Sequence, residues 1–137
     1  MNDFFASWYE LLAYFEGFSN DMYDNQIYLS IGLCMTLIPI AVLAIYYYAV
    51  NSVKFNRWWH WLLLVVVLCA ANFGIAYSIS YNSILDIYES QNASPEYSLS
   101  TDCLSFSLVN MLWCFAVSFV WSIIIKWGSS NCRRTPF

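Results

Sequence analysis

Charge is what this sequence has least of. Only 10% of its 137 residues are Asp, Glu, Lys or Arg, against roughly 25% in soluble domains. Residues 27–50, 58–79 and 104–127 contain none of the four before Lys126. A soluble fold of this size needs more polar surface to cover its core, and lipid as solvent removes that conflict. Each stretch exceeds the roughly 20 residues that carry a helix across about 30 Å of hydrocarbon, with room for tilt. A transmembrane barrel is excluded, because its strands alternate polar and apolar residues and residues 62–69 do not alternate. The expected fold is an all-α membrane protein: three transmembrane helices plus an N-terminal amphipathic interfacial helix.

Other absences remove chemistry. The single histidine, His60, stands at the end of a span, so the His-Glu-x-x-His metalloprotease pattern is missing. Its ordinary role there is that of an interfacial aromatic-like residue, with pH sensing as the alternative. No Asp lies within a span, which removes an aspartyl site, and no buried base supports a Ser/His dyad. Ion- and proton-coupled carriers normally bury an acid or a base in the membrane, and that signal is absent too. The five cysteines are scattered. Cys34, Cys69 and Cys114 lie within spans, where a thiol behaves as a small hydrophobe. Cys132 is in the tail, and Cys103 alone reaches the outer boundary. That leaves either a free interfacial thiol or a Cys103–Cys103 bridge between protomers. No Cys-x-x-Cys or Cys/His spacing suggests a metal. No soluble segment is long enough for a catalytic domain. No enzyme activity, cofactor or nucleic-acid partner is expected.

What charge there is has been sorted. Asp3, Glu10, Glu16, Asp21, Asp24, Asp86, Glu89, Glu96 and Asp102 fall on one side of the three stretches, and Lys54, Arg57, Lys126, Arg133 and Arg134 on the other. Cells retain Lys and Arg on the cytoplasmic face. The expected topology is N-terminus outside and C-terminus cytoplasmic. The N-terminus has no positive region of the kind that opens a cleavable signal peptide, so the first span is expected to insert with the acidic tail translocated.

The chain reads as one membrane domain. Residues 1–25 form an outer-side amphipathic helix and linker. Phe4, Trp8, Leu11, Leu12, Phe15 and Phe18 recur at helical spacing opposite Asp3, Ser7, Glu10 and Tyr14. Asn2 or Asp3 is placed to cap the start, Gly17 to mark the end, and 19–26 is a polar linker. Phe4, Trp8, Leu11, Leu12 and Phe15 then offer a face for the membrane surface or for a partner subunit. The first span, 27–50, holds Pro39, whose ring should kink it, and closes on Tyr46, Tyr47 and Tyr48. A short inner loop makes spans one and two antiparallel neighbours. Trp58, Trp59 and Trp61 form an interfacial belt at the start of the second span, 58–79. The outer loop, 80–103, allows the second helix to continue through 83–90. Ser94-Pro95-Glu96 resembles a helix start, Thr101-Asp102 a cap for the third span, 104–127, and Asn92-Ala93-Ser94 fits the glycosylation pattern. In the tail, 128–137, Gly128 ends the helix and Arg133 and Arg134 suit an anionic leaflet.

Within the spans the distinctive signal is small and polar residues at four-residue spacing. Ser107, Asn110, Cys114, Ser118 and Ser122 mark one face of the third helix, Ala70, Gly74 and Ser78 one face of the second, and Gly32 and Thr36 a shorter face of the first. Such stripes let helix backbones approach, and their hydroxyls bond across the contact. An unpaired amide in hydrocarbon costs several kcal/mol, so Asn72 and Asn110, at similar depth, are candidates to bond each other. Asn72 lies about 200° around the helix from Gly74, so the second helix is expected to have two occupied faces. The expected partners are the lipid bilayer and other membrane subunits or further copies of the chain. The best-fitting function is a non-catalytic integral membrane subunit that scaffolds or anchors a larger assembly of the secretion, injection, transport or respiratory kind. The alternative is a homo-oligomeric pore former, either a channel or a holin-like permeabiliser. Three spans with N out and C in resemble the topology of one class of phage holins. That resemblance covers size and topology rather than a motif, and the basic tail typical of that class is represented thinly by Lys126, Arg133 and Arg134.

Overall fold

A computed structural model describes residues 1–50 and 57–128; Lys54, Cys132, Arg133 and Arg134 lie outside the described residues. The fold is all-α, without a strand among the described residues. Two short helices, α1 (Asn2–Glu10) and α2 (Phe18–Asp24), precede three long ones: α3 (Ile27–Ala44), α4 (Trp58–Ser90) and α5 (Leu99–Ile125). A π-helical segment, Ile45–Val50, prolongs α3, and a 3₁₀ turn, Lys126–Gly128, closes α5. The three long helices are long and apolar enough to cross a membrane, with mean hydropathies of 2.3, 2.3 and 2.1 over their most apolar windows.

Pro39 lies inside α3 and is buried there. It has no N–H to bond one turn back. Beside it the Thr36 hydroxyl donates to the Gly32 carbonyl at 2.9 Å. The helix stays α-helical through Ala44 and then widens into the π segment Ile45–Val50. At 33 residues, α4 is about 50 Å long, longer than the roughly 30 Å of a hydrocarbon core, and the helix continues through 83–90 as expected.

The helix starts differ from expectation. α5 begins at Leu99 with Ser98 in the cap position, and Asp102 sits in its first turn, where a carboxylate complements the helix dipole. Ser94-Pro95-Glu96 starts no helix, because Tyr97 is drawn inward to hydrogen-bond with α2. The N-terminal segment breaks into two helices. α1 ends at Glu10, and Gly17, with φ of 82°, precedes α2 instead of closing α1. The residues read as a linker are therefore helical over Phe18–Asp24. Aromatic packing outweighs helix propensity here: the break lets Phe15 and Phe18 meet edge to face with centroids 6.2 Å apart. Phe18 then packs on Phe106 at 5.9 Å. Asn2 does not cap α1. Its amide donates to the Tyr23 carbonyl at 2.9 Å, and its oxygen accepts the Leu29 N–H at 3.2 Å. One side chain thus joins the end of α2 to the exposed first-turn donors of α3.

Candidate functional site

The long helices meet along an antiparallel seam between α4 and α5. Trp61 Nε1 donates to Ser122 Oγ at 2.8 Å, and Asn110 Nδ2 donates to the Asn72 carbonyl at 3.1 Å. These two bonds fix the register. Between them the same register sets Cys69 opposite Cys114, and farther along Ser80 opposite Cys103, all four buried. The α4 side of the seam is Trp61, Val65, Cys69, Asn72, Ala76 and Ser80, all buried. The α5 stripe Ser107, Asn110, Cys114, Ser118 and Ser122 is buried against it, so small side chains set the approach of the two backbones. The two asparagines meet differently from the expected amide pair, because Asn72 Nδ2 turns back to the Leu68 carbonyl at 3.2 Å. Asn72 Oδ1 and Ser118 Oγ are buried without a hydrogen-bond partner among the described residues. Cys103 is 0% exposed, so an interprotomer bridge through it would require the seam to open.

α1 is plugged into the end of this bundle. Tyr9, 1% exposed, donates its hydroxyl to Asn110 Oδ1 at 2.7 Å. Its ring stacks on Tyr28 at 5.7 Å and leans on Phe106 at 4.9 Å. Trp8 stacks on Trp113 at 4.8 Å, and the Trp113 indole N–H donates to the Trp8 carbonyl at 3.1 Å. Phe5 lies against the backbone of Gly32, where a Cβ would strike its ring. The bundle-facing side of α1 is thus Phe5, Ala6 and Tyr9, with Trp8 and Phe15 partly buried beside it. Phe4, Leu11 and Leu12 point away, the last two 76% and 51% exposed. The apolar face read from the sequence therefore divides between bundle and surroundings. Phe5, Ala6 and Tyr9 fit a helical face equally well, and the buried amide at Asn110 signalled that a polar partner was needed. Nothing local linked it to a residue 101 positions away.

α2 is clamped to the same end by one carboxylate. Asp21 Oδ2 accepts the hydroxyls of Tyr97 at 2.6 Å and Tyr88 at 2.8 Å. Burial, then the bond to Asp21, pushes the Tyr97 phenol well above the ordinary tyrosine range. Tyr23 bonds Asp3, which raises its phenol as well. No local pattern announced this clamp, which joins three separate segments.

The stripe Ala70, Gly74 and Ser78 lies on the other side of α4, exposed. A Cβ added at Gly74 would meet nothing within 4 Å. Within one chain α4 therefore has one occupied small-residue face and one bare one. Among the described residues no group of three His, Cys, Asp or Glu gathers to hold a metal ion. Comparison with known proteins yields no match: no family model, no curated protein and no solved structure resembles the chain.

Proposed function

We propose that this chain is a non-catalytic integral membrane subunit that scaffolds or anchors a larger membrane assembly. The carrying observation is the division of labour on α4. Asn72, Ala76 and Ser80 are spent on the chain's own seam, while Ala70, Gly74 and Ser78 stand free at the spacing that brings helices together. Phe4, Leu11 and Leu12 add an unpacked apolar edge at the acidic end. A pore lined by the α5 stripe has less support, because Asn110 and Ser122 already bond Tyr9, Asn72 and Trp61. The reading assigns no reaction.

The same reading places the acidic end outside and the C-terminus in the cytoplasm. It is supported by the gathering of α1, α2 and the tyrosine clamp at one end and of Arg57 and Lys126 at the other, under the rule that Lys and Arg stay inside. A membrane-impermeant thiol reagent on intact cells should label Asn92→Cys and spare Asn131→Cys; the reverse pattern contradicts the orientation. The functional test is purification in mild detergent alongside reconstitution of the chain alone in liposomes. Co-purifying membrane proteins and silent liposomes are expected. Ion flux from the chain alone would instead favour the pore former.

A further inference from the structure

We propose that α1 dips into the leaflet at the acidic end as a wedge between bundle and lipid, with Phe4, Leu11 and Leu12 lodged in acyl chains. The placement requires that the three long helices span the bilayer, and it is independent of the subunit reading. Depth follows from what α1 touches. The Tyr9 hydroxyl donates to Asn110 Oδ1 at 2.7 Å, and the Trp113 indole N–H to the Trp8 carbonyl at 3.1 Å. Asn110 stands eight residues past Asp102 on α5, about 12 Å along the helix. From the basic end it stands sixteen residues before Lys126, about 24 Å, within the roughly 30 Å of a hydrocarbon core. α3 gives the same level: Phe5 lies against Gly32, six residues past Gln26, about 9 Å. The inner face of α1 thus meets the bundle about 6–12 Å below the boundary, the depth at which amphipathic helices reach acyl chains.

The acids stay at the two ends of the dip. Asp3 bonds Tyr23 where Asn2 holds the start of α3, and Glu10 begins the return to α2, where Asp21 holds Tyr88 and Tyr97. The outer edge between them is made for hydrocarbon rather than for a helix. Phe4, Leu11 and Leu12 are exposed and bulky, so they hold a partner backbone away, unlike a small-residue stripe. The Ser7 hydroxyl beside them is already donated to the Asp3 carbonyl at 2.8 Å. The apolar surface continues on the far side of Trp8 as a groove of about 210 Å³ lined by Trp8, Trp113, Ala116, Val117, Val120 and Trp121. Along α5 these residues lie still deeper than Asn110.

The test is photo-crosslinking of the full chain in membranes of the expressing cell. The photoreactive residue p-benzoylphenylalanine replaces Leu11 or Leu12, with Leu37 and Leu63 as exposed references within the spans and Ser94 as an exposed loop position. After irradiation, ester hydrolysis leaves one fatty-acid mass on a chain linked through acyl carbon, and the headgroup mass on a chain linked through the headgroup. Leu11 and Leu12 should give acyl adducts at yields within about twofold of Leu37 and roughly tenfold above Ser94. Cross-links to another protein in place of lipid, headgroup adducts alone, or no adduct at Leu11 and Leu12 while Leu37 and Leu63 carry lipid would each overturn the proposal. Lipid at none of the four positions would remove the spanning helices themselves, and the dip with them.

Discussion

The two faces of α4 look alike in sequence and differ completely in structure. Asn72, Ala76 and Ser80 are buried against the rest of the bundle; Ala70, Gly74 and Ser78, interleaved with them, are exposed, and a Cβ at Gly74 would meet nothing within 4 Å. Small residues every four positions record that a backbone can come close. They do not record whose. What distinguishes the faces is the polar group that each carries into hydrocarbon. On the packed face, Asn110 reaches the Asn72 carbonyl and Tyr9 reaches Asn110, so burial satisfies most of the groups it removes from water. The bare face carries only Ser78, whose hydroxyl a helix can satisfy by bonding back to its own backbone, and so has no need of a partner within the chain.

Substitutions that overfill one face and then the other separate these roles. The largest effect is expected from Ala76→Leu, at a fully buried seam position. Overpacking there should destabilise the bundle by about 1–3 kcal/mol, read as a lower midpoint in dodecyl sulfate unfolding from mild micelles; an unchanged midpoint would deny that the seam is tightly packed. Gly32→Ala comes next. Its Cβ would drive Phe5 off α3, releasing α1 for about 1–2 kcal/mol. Faster proteolysis of residues 1–25 while α3–α5 stay folded would be the signature. The smallest effect belongs to the tyrosine clamp. Because the Tyr97 phenol titrates higher in the fold, its contribution is fully present below pH 10, the ordinary tyrosine value, and is lost as pH rises past 10 towards the raised folded value. Solvent at this only partly buried site limits it to about 1 kcal/mol or less. Tyr97→Phe should flatten the alkaline loss of stability; an identical alkaline profile would remove the clamp from the account.

The long helices were legible because hydrocarbon demands continuous apolar runs, and 27–50, 58–79 and 104–127 have them. The opposition of Asn72 and Gly74 was legible from the 100° step alone. The N-terminal segment was not. Its register depends on Phe5 finding Gly32 and Tyr9 finding Asn110, contacts between residues far apart in sequence, and a period count cannot choose between Phe4–Trp8–Leu11 and Phe5–Ala6–Tyr9. The role of Asn2 was hidden for the same reason: an N-cap residue by position, it serves a helix that starts 25 residues later. Likewise Asp21 read as linker charge, because Tyr88 and Tyr97 reach it only after α4 and α5 are assembled.

The central claim, that the bare face of α4 is kept for another subunit, is tested most directly by the native mass of Gly74→Leu in mild detergent beside the unsubstituted chain. A Cβ there meets open space, so unfolding of the isolated chain should be unchanged while the larger complex is lost. A Gly74→Leu chain that retains the full complex mass would contradict the claim.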